Sequence, residues 1–419
     1  MSRLQSWNMI TLFCILIFGF TAATLIKPDD AYSEAENRTL EQMPEVSAEA
    51  VLSGEFEEDY ETYLTDQFVL RDKWIGLKTS VERALLKQES KDIYFADDGY
   101  LIEKHTGSFT SDTARANIAS LARFVQNYQE QFADGHMTVM IVPNAVDILR
   151  DKLPKYASPY DEEEYLAQLA AALPEDVWFD AGEVLRAHLD EELYYRTDHH
   201  WKTGAAFHVC RAWMEAQEAS AGTENQSFTA ERKEAQDSLP DTSPGDSGAE
   251  ERVTESPATR TISQEDFEIE TVTDSFEGTI QSKLGIQAQP DSIELYKWKS
   301  DPLYTVHKNG AEKFTYSIYD YTALDTKSKY DIFFGGNDAR VTIRTEAGTG
   351  RRILILKDSY AHCFVPFLLE SYDEIELVDI RYYNQKLSDL IAAGDYTDLL
   401  VLYNAAGFAE ETGIARILY

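Results

Sequence analysis

The run Ile353-Leu354-Ile355-Leu356-Lys357-Asp358-Ser359-Tyr360-Ala361-His362 decides how this chain is read. Four consecutive apolar residues without polar alternation describe a strand buried on both faces, as in a parallel sheet. Asp358-Ser359 then falls where the strand ends, and a helix is expected over residues 360–369. In open α/β sheets, ligands and reactive groups collect at that carboxyl edge. A serine there is exposed, and N–H groups at the helix start, its own included, can stabilise an oxyanion. The plain alternative is a helix-capping serine, a favoured residue at that position.

The same alternation continues on either side. Strands are expected over 375–380 and 399–403 with a helix over 387–393 between them, and a helical pattern over 114–132 leads into the apolar run Met137-Thr138-Val139-Met140-Ile141-Val142. A short run at 177–180 and a helix through 189 repeat the unit. The fold class is therefore α/β, a parallel sheet flanked by helices. Residues 267–350 read as short strands and loops, and 92–102 as a hairpin bordering the site.

A serine at neutral pH needs a base, and the base needs a carboxylate to fix its tautomer. Both occur in Tyr194-Tyr195-Arg196-Thr197-Asp198-His199-His200-Trp201. Residues two apart in an irregular segment can point to one side. Asp198 would then receive Nδ1–H of His200 while Nε2 faces Ser359, leaving His199 for another hydrogen bond or the substrate. Trp201 is expected to pack behind His200. Against this stand an uninvolved histidine pair and a metal site built from Asp198, His199, His200 and His362. Adjacent histidines diverge and no third histidine lies at helical spacing in the motif, so neither metal nor cofactor is expected. Arg381, Tyr382 and Tyr383 follow the next strand, where they suit a sugar or a carboxylate, or simple packing.

The chain of 419 residues has 43% hydrophobic and 12% aromatic residues, enough for a large core. Its formal charge of -36, from 38 basic and 74 acidic residues, excludes nucleic acid as a natural partner. Cys14, Cys210 and Cys363 are too few for a disulfide framework, and buried free thiols at Cys210 and Cys363 are favoured over a bond between them.

Residues 9–26 are uncharged and nearly span a bilayer, with Arg3 before them and acidic residues from Asp29 after them. Residues 1–28 are read as a signal anchor, placing the rest outside the cytoplasm as a single-pass membrane protein. The alternative is a secreted protein whose signal peptide is cleaved near Thr21-Ala22-Ala23. Residues 29–90 form a stem with amphipathic helices, and 91–419 the α/β domain. Residues 215–263 are rich in Glu, Ser, Thr, Gly and Pro and read as a disordered insertion.

Asp198-His199-His200-Trp201 is the signature that names the DHHW family, and the resemblance extends to Ser33 to Leu40, Phe276-Glu277-Gly278-Thr279, Phe334-Gly335-Gly336-Asn337, Lys357 to Ala361, Val378 to Tyr383 and Leu402-Tyr403-Asn404. That family resembles the SGNH-type proteins of alginate and other exopolysaccharide O-acetylation. The resemblance implies an SGNH hydrolase-like fold with Asp198 as orienter, His200 as base and Ser359 as nucleophile. It implies an oxyanion asparagine after a later strand, for which Asn404 is the best match and Asn337 the second. The motif order is permuted relative to common SGNH hydrolases, and a clear glycine block is missing. The implied activity is polysaccharide O-acetylation with a membrane-bound O-acyltransferase supplying acetyl groups. An acetyl esterase with the same triad and a non-catalytic carbohydrate-binding or assembly protein are the alternatives.

Overall fold

The computed structural model describes residues 3–33, 38–132, 136–159, 161–219 and 261–419. Helix α1 (Arg3–Ile26) includes the stretch Gln5–Ile26, long and apolar enough to cross a membrane, and none of its apolar window is buried against the rest of the chain. A signal sequence meets the same criteria of length and composition.

Strands β1 (Tyr32–Ser33) and β2 (Arg38–Thr39) pair antiparallel, and Arg38 grips the buried Asp66 carboxylate with two N–H donors at 2.8 and 2.5 Å. Residues 34–37 of the expected stem lie outside the described residues. Helices α2 (Ala48–Ser53), α3 (Glu55–Asp66) and α4 (Arg71–Ala84) follow. Strands β3 (Glu89–Ser90), β4 (Ile93–Phe95) and β5 (Leu101–Glu103) form a small antiparallel sheet that includes the hairpin read from the sequence.

Helix α5 (Asp112–Tyr128) starts at Ser111, whose side chain accepts the Ala114 N–H, and leads to β6 (Met137–Val142). Helices α6 (Ala145–Ile148), α7 (Asp161–Ala172), α8 (Ala181–Arg186) and α9 (203–219) come next. A two-stranded ribbon, β7 (Phe267–Phe276) and β8 (Asp291–Trp298), embraces the short helix α10 (Thr279–Leu284). The chain then supplies β9 (Tyr304–Lys308), β10 (Phe314–Thr315), β11 (Arg340–Thr345), β12 (Arg352–Lys357) and β13 (Glu374–Val378), and after α11 (Leu387–Gly394) it closes with β14 (Asp398–Asn404) and α12 (Ala405–Glu410).

The central sheet has the order β10-β9-β11-β13-β12-β14-β6. Strands β13, β12, β14 and β6 are parallel, while β11, β9 and β10 add an antiparallel half. The parallel expectation thus describes four of the strands. The alternating sequence of β11, Arg340-Val341-Thr342-Ile343, is the pattern of a strand outside a purely parallel core. Successive residues of β12 serve opposite faces: Ile353 and Ile355 pack with Trp201, Trp213 and Phe364, and Leu354 and Leu356 with Leu121 and Phe124 of α5. Cys210 and Cys363 are free thiols in the first of these clusters.

Two expectations need correction. The segment after Ser359 is two 3₁₀ turns, Ser359–Cys363 and Val365–Leu368, because Pro366 has no N–H to continue an α-helical ladder. Residues 215–219 and 261–263, read as the two ends of the insertion, are instead structured. Helix α9 runs through 219, burying Trp213 and Met214, and Ile262 is buried. Glu218 ties those ends together, accepting from Thr261 N at 2.9 Å and Thr261 Oγ1 at 2.7 Å. The remainder of the expected insertion, 220–260, lies outside the described residues.

Candidate active site

The turn after β12 is organised by Asp358. Its Oδ1 accepts the Tyr360 N–H at 2.8 Å, and its Oδ2 accepts the backbone N–H and Nδ2 of Asn404 at 2.8 and 2.7 Å. These bonds fasten the ends of neighbouring parallel strands β12 and β14. Burial pushes the Asp358 carboxyl up, and the donors oppose it. Ser359 sits half-buried at this edge, and its own N–H has no hydrogen-bond acceptor among the described residues.

The second half of the site is a loop closed by a bridge between Tyr194 and Trp201 and by the Lys202 N–H to Leu193 O at 2.8 Å. Asp291 of β8 accepts the backbone N–H groups of Arg196 and Thr197, both at 2.9 Å, and Thr197 Oγ1 at 2.6 Å. Next to it, Asp198 Oδ2 accepts Thr279 N at 2.9 Å and Thr279 Oγ1 at 3.0 Å. Gly278 permits that approach: a Cβ there would lie 2.3 Å from Asp198 Cβ and 2.5 Å from Thr197 O.

These two turns bring the three expected residues into one chain of hydrogen bonds. Asp198 Oδ1 lies 2.6 Å from His200 Nδ1, and His200 Nε2 lies 2.7 Å from Ser359 Oγ. Burial pushes Asp198 up, but the neighbouring imidazoles of His199 and His200 and the Thr279 N–H outweigh it, holding the carboxyl well below its usual range. An ionised carboxylate is what fixes a base in the Nδ1–H tautomer, leaving the Nε2 lone pair for the serine proton.

The His200 ring stacks on Tyr330 at 3.7 Å and 14°, and the His199 ring lies 3.9 Å from it. Tyr330 and not Trp201 therefore forms its main packing surface. Trp201 instead stacks on Tyr360 and donates Nε1–H to Tyr360 O at 2.9 Å, bracing the nucleophile turn. Tyr330 donates its hydroxyl to Ser359 O at 3.3 Å and Tyr360 to His199 O at 2.6 Å, so rings from each side hold the opposite backbone.

His199 turns to Thr279, with Nδ1 3.2 Å from Oγ1, and lies beside the open space. Burial and the adjacent His200 lower it to about 4, so it is neutral at pH 7. Single ligand atoms of Asp198, His199 and His200 lie within 4.8 Å of one another, a spacing that a metal ion could use. His362 stands apart from them, buried with Nε2 2.8 Å from Lys357 Nζ. Of the four residues weighed as a rival metal set, three lie close enough together to share an ion and His362 does not join them.

Two cavities of about 330 and 320 Å³ meet at Ser359, His199 and Arg381. Asn404 lines the first, its Oδ1 anchored by the Gly407 N–H at 2.7 Å and Asn144 Nδ2 at 3.1 Å. Asn337 lines the second with Tyr382, and its Oδ1 accepts from Arg381 at 3.3 Å. Arg381 is held by Asp379 through Nε and Nη2 at 2.9 and 2.7 Å, whereas Tyr383 is buried in the core. Sequence reasoning missed Thr279, Tyr330 and Asp291 as site residues. Only the first carried a signal, as part of the matching stretch 276–279.

A serine after a parallel strand thus faces an Asp-x-His pair across the carboxyl edge of the sheet. Residues 93–294 match the family model described as the SGNH hydrolase-like domain of the acetyltransferase AlgX, and residues 259–378 match the model of DHHW proteins. The resemblance read from the sequence therefore holds. A DHHW family protein from Eubacterium siraeum has a similar structure, with a TM-score of 0.56 at 22% identity over 78% of this chain and 95% of that one. PatB1 from Bacillus cereus gives 0.55 at 18% identity over 75% and 97%. PatB1 with a sulfonyl adduct gives 0.56 at 18% over 76% and 97%. These likenesses show the fold. No curated protein matches the chain significantly.

Proposed function

We propose that this chain is an O-acetyltransferase acting on a cell-envelope or exported polysaccharide, through Ser359 as nucleophile, His200 as base and Asp198 as orienter. The support that carries most weight is the unbroken hydrogen-bond chain from Asp198 through His200 to Ser359 Oγ, at 2.6 and 2.7 Å. The choice of acetyl transfer rests on the match to the acetyltransferase domain model.

In this reading, His200 Nε2 removes the Ser359 proton as Oγ attacks the donor's acetyl carbonyl. Negative charge builds on the carbonyl oxygen, which the Ser359 N–H and an amide from Asn404 or Asn337 would stabilise. The intermediate collapses, and the donor alcohol leaves with the proton from His200. A polysaccharide hydroxyl then gives its proton to His200 and attacks the acetyl-serine, restoring Ser359 when that proton returns. Arg381 and His199, at the junction of the two cavities, and Tyr382, which lines the second, are assigned to holding the acceptor.

Residues 1–28 would anchor the protein with 29–90 as a stem and 91–419 outside the cytoplasm, in reach of acetyl groups delivered by a membrane-bound O-acyltransferase. The test is acetyl transfer from a small ester to candidate polysaccharides. Acetylated polymer should form and should vanish in Ser359→Ala and His200→Ala. Undiminished transfer by Ser359→Ala contradicts the mechanism, and hydrolysis unaffected by every acceptor contradicts the transferase assignment.

A further inference from the structure

We propose that His188, Glu191 and His208 form a binding site for one divalent ion of the zinc, nickel or cobalt class, separate from the Ser359 site. His188 and Glu191 lie in the turn after α8, and His208 faces them from α9. The two imidazoles stack at 3.7 Å and 15°. His208 Nε2 lies 3.0 Å from Glu191 Oε2, and His188 Nδ1 lies 3.4 Å from Glu191 Oε1. One ligand atom from each residue falls within 4.8 Å of the others.

The spacing suits a metal. Bonds of about 2.0–2.1 Å in a tetrahedral zinc site place ligand atoms about 3.4 Å apart. Both nitrogen-to-carboxylate separations are already near that value, although to different oxygens, and closing the set requires the stacked rings to tilt apart so that both lone pairs meet one ion. That movement is available, because the Glu191 side chain is 48% exposed and that of His188 26%. Imidazole nitrogen with one carboxylate oxygen is a donor set for borderline ions, not for calcium or magnesium, which take oxygen. Glu191 also holds the His208 ring from one side only, since His208 Nδ1 is buried without a hydrogen-bond partner among the described residues. With three protein ligands, water would complete the coordination sphere.

The position has a consequence for the neighbouring loop. His188 and Glu191 precede Tyr194 and His208 follows Trp201, so the ion would join the two arms of the segment that presents Asp198 and His200. Those arms are already latched by Lys202 and Arg196, which both grip Glu192. A bound ion would add a second clasp beside that one and make this segment harder to unfold.

The test is calorimetric titration of metal-stripped full-length protein in detergent with zinc chloride, alongside thermal unfolding. The site predicts saturable binding of one equivalent with micromolar or tighter affinity and a higher Tm with zinc. His208→Ala and Glu191→Gln should each weaken binding at least tenfold and remove the Tm rise, whereas His199→Ala should leave both intact. Circular dichroism without metal checks that each variant is folded, and His188→Gln, at a partly exposed side chain, carries the test if His208→Ala is not. Absence of saturable binding, survival of binding in folded His208→Ala or His188→Gln, or its loss in His199→Ala overturns the assignment.

Discussion

The two turns that meet at Ser359 Oγ are held in opposite ways. The Ser359 turn is fastened to the sheet itself, because Asp358 binds the end of the adjacent strand through Asn404. The Asp198–His200 turn is fastened to structure beside the sheet, through Asp291 of β8 and Gly278 and Thr279 at the start of α10. The nucleophile's position is thus a by-product of the core, whereas the base depends on a ribbon that the chain adds much later. Damage to the first should appear as lost stability, and damage to the second as lost chemistry.

The largest expected effect lies where the turns meet. Ser359→Ala should reduce acetyl transfer by about 10³-fold or more with little change in Tm, and His200→Ala should be about as severe. The double variant should be no worse than either single one, because the groups act as a unit. Gly278→Ala comes next. Its new Cβ would collide with Asp198 Cβ and Thr197 O, so kcat should fall by about 10²-fold while the fold survives, the cost of the clash being about 1–3 kcal/mol. Normal kcat in Gly278→Ala would show that the ribbon does not hold the base.

Asp358→Ala should show the opposite balance. It leaves the N–H groups of Tyr360 and Asn404 without their buried acceptor, and urea unfolding should record a loss of about 2–4 kcal/mol. A variant of unchanged stability would break the distinction between the turns. The smallest effect concerns pH. His199 is held near 4 in the fold, against about 6.5 in the unfolded chain, so the unfolded state binds the extra proton between those values. Stability should therefore decline as pH falls from about 6.5 to about 4, and His199→Gln should flatten that slope. Water moderates the effect, because the side chain is 33% exposed.

The same contrast governs what the sequence could reveal. The Ser359 turn was legible because it lies in one continuous segment, an apolar strand and then Asp-Ser, whose neighbours in sequence are its neighbours in space. Asp198 and His200 were legible because both fall in one short motif. The supports of that motif were not, since Asp291, Thr279 and Tyr330 arrive from separate segments, and a lone Asp, Thr or Tyr has no periodicity to betray it. The antiparallel half of the sheet was blurred for a similar reason, its short strands being separated by loops. The 3₁₀ turns after Ser359 hinge on Pro366, a local signal masked by the apolar residues around it.

The central claim is that His200 makes the Ser359 hydroxyl a nucleophile. Labelling with a sulfonyl fluoride, followed by peptide mapping, tests it most directly. A single adduct on the peptide containing Ser359, slowed strongly in His200→Ala and absent in Ser359→Ala, is the predicted result. Equal labelling of the wild type and Ser359→Ala, or a Ser359 adduct that forms as fast without His200, would contradict it.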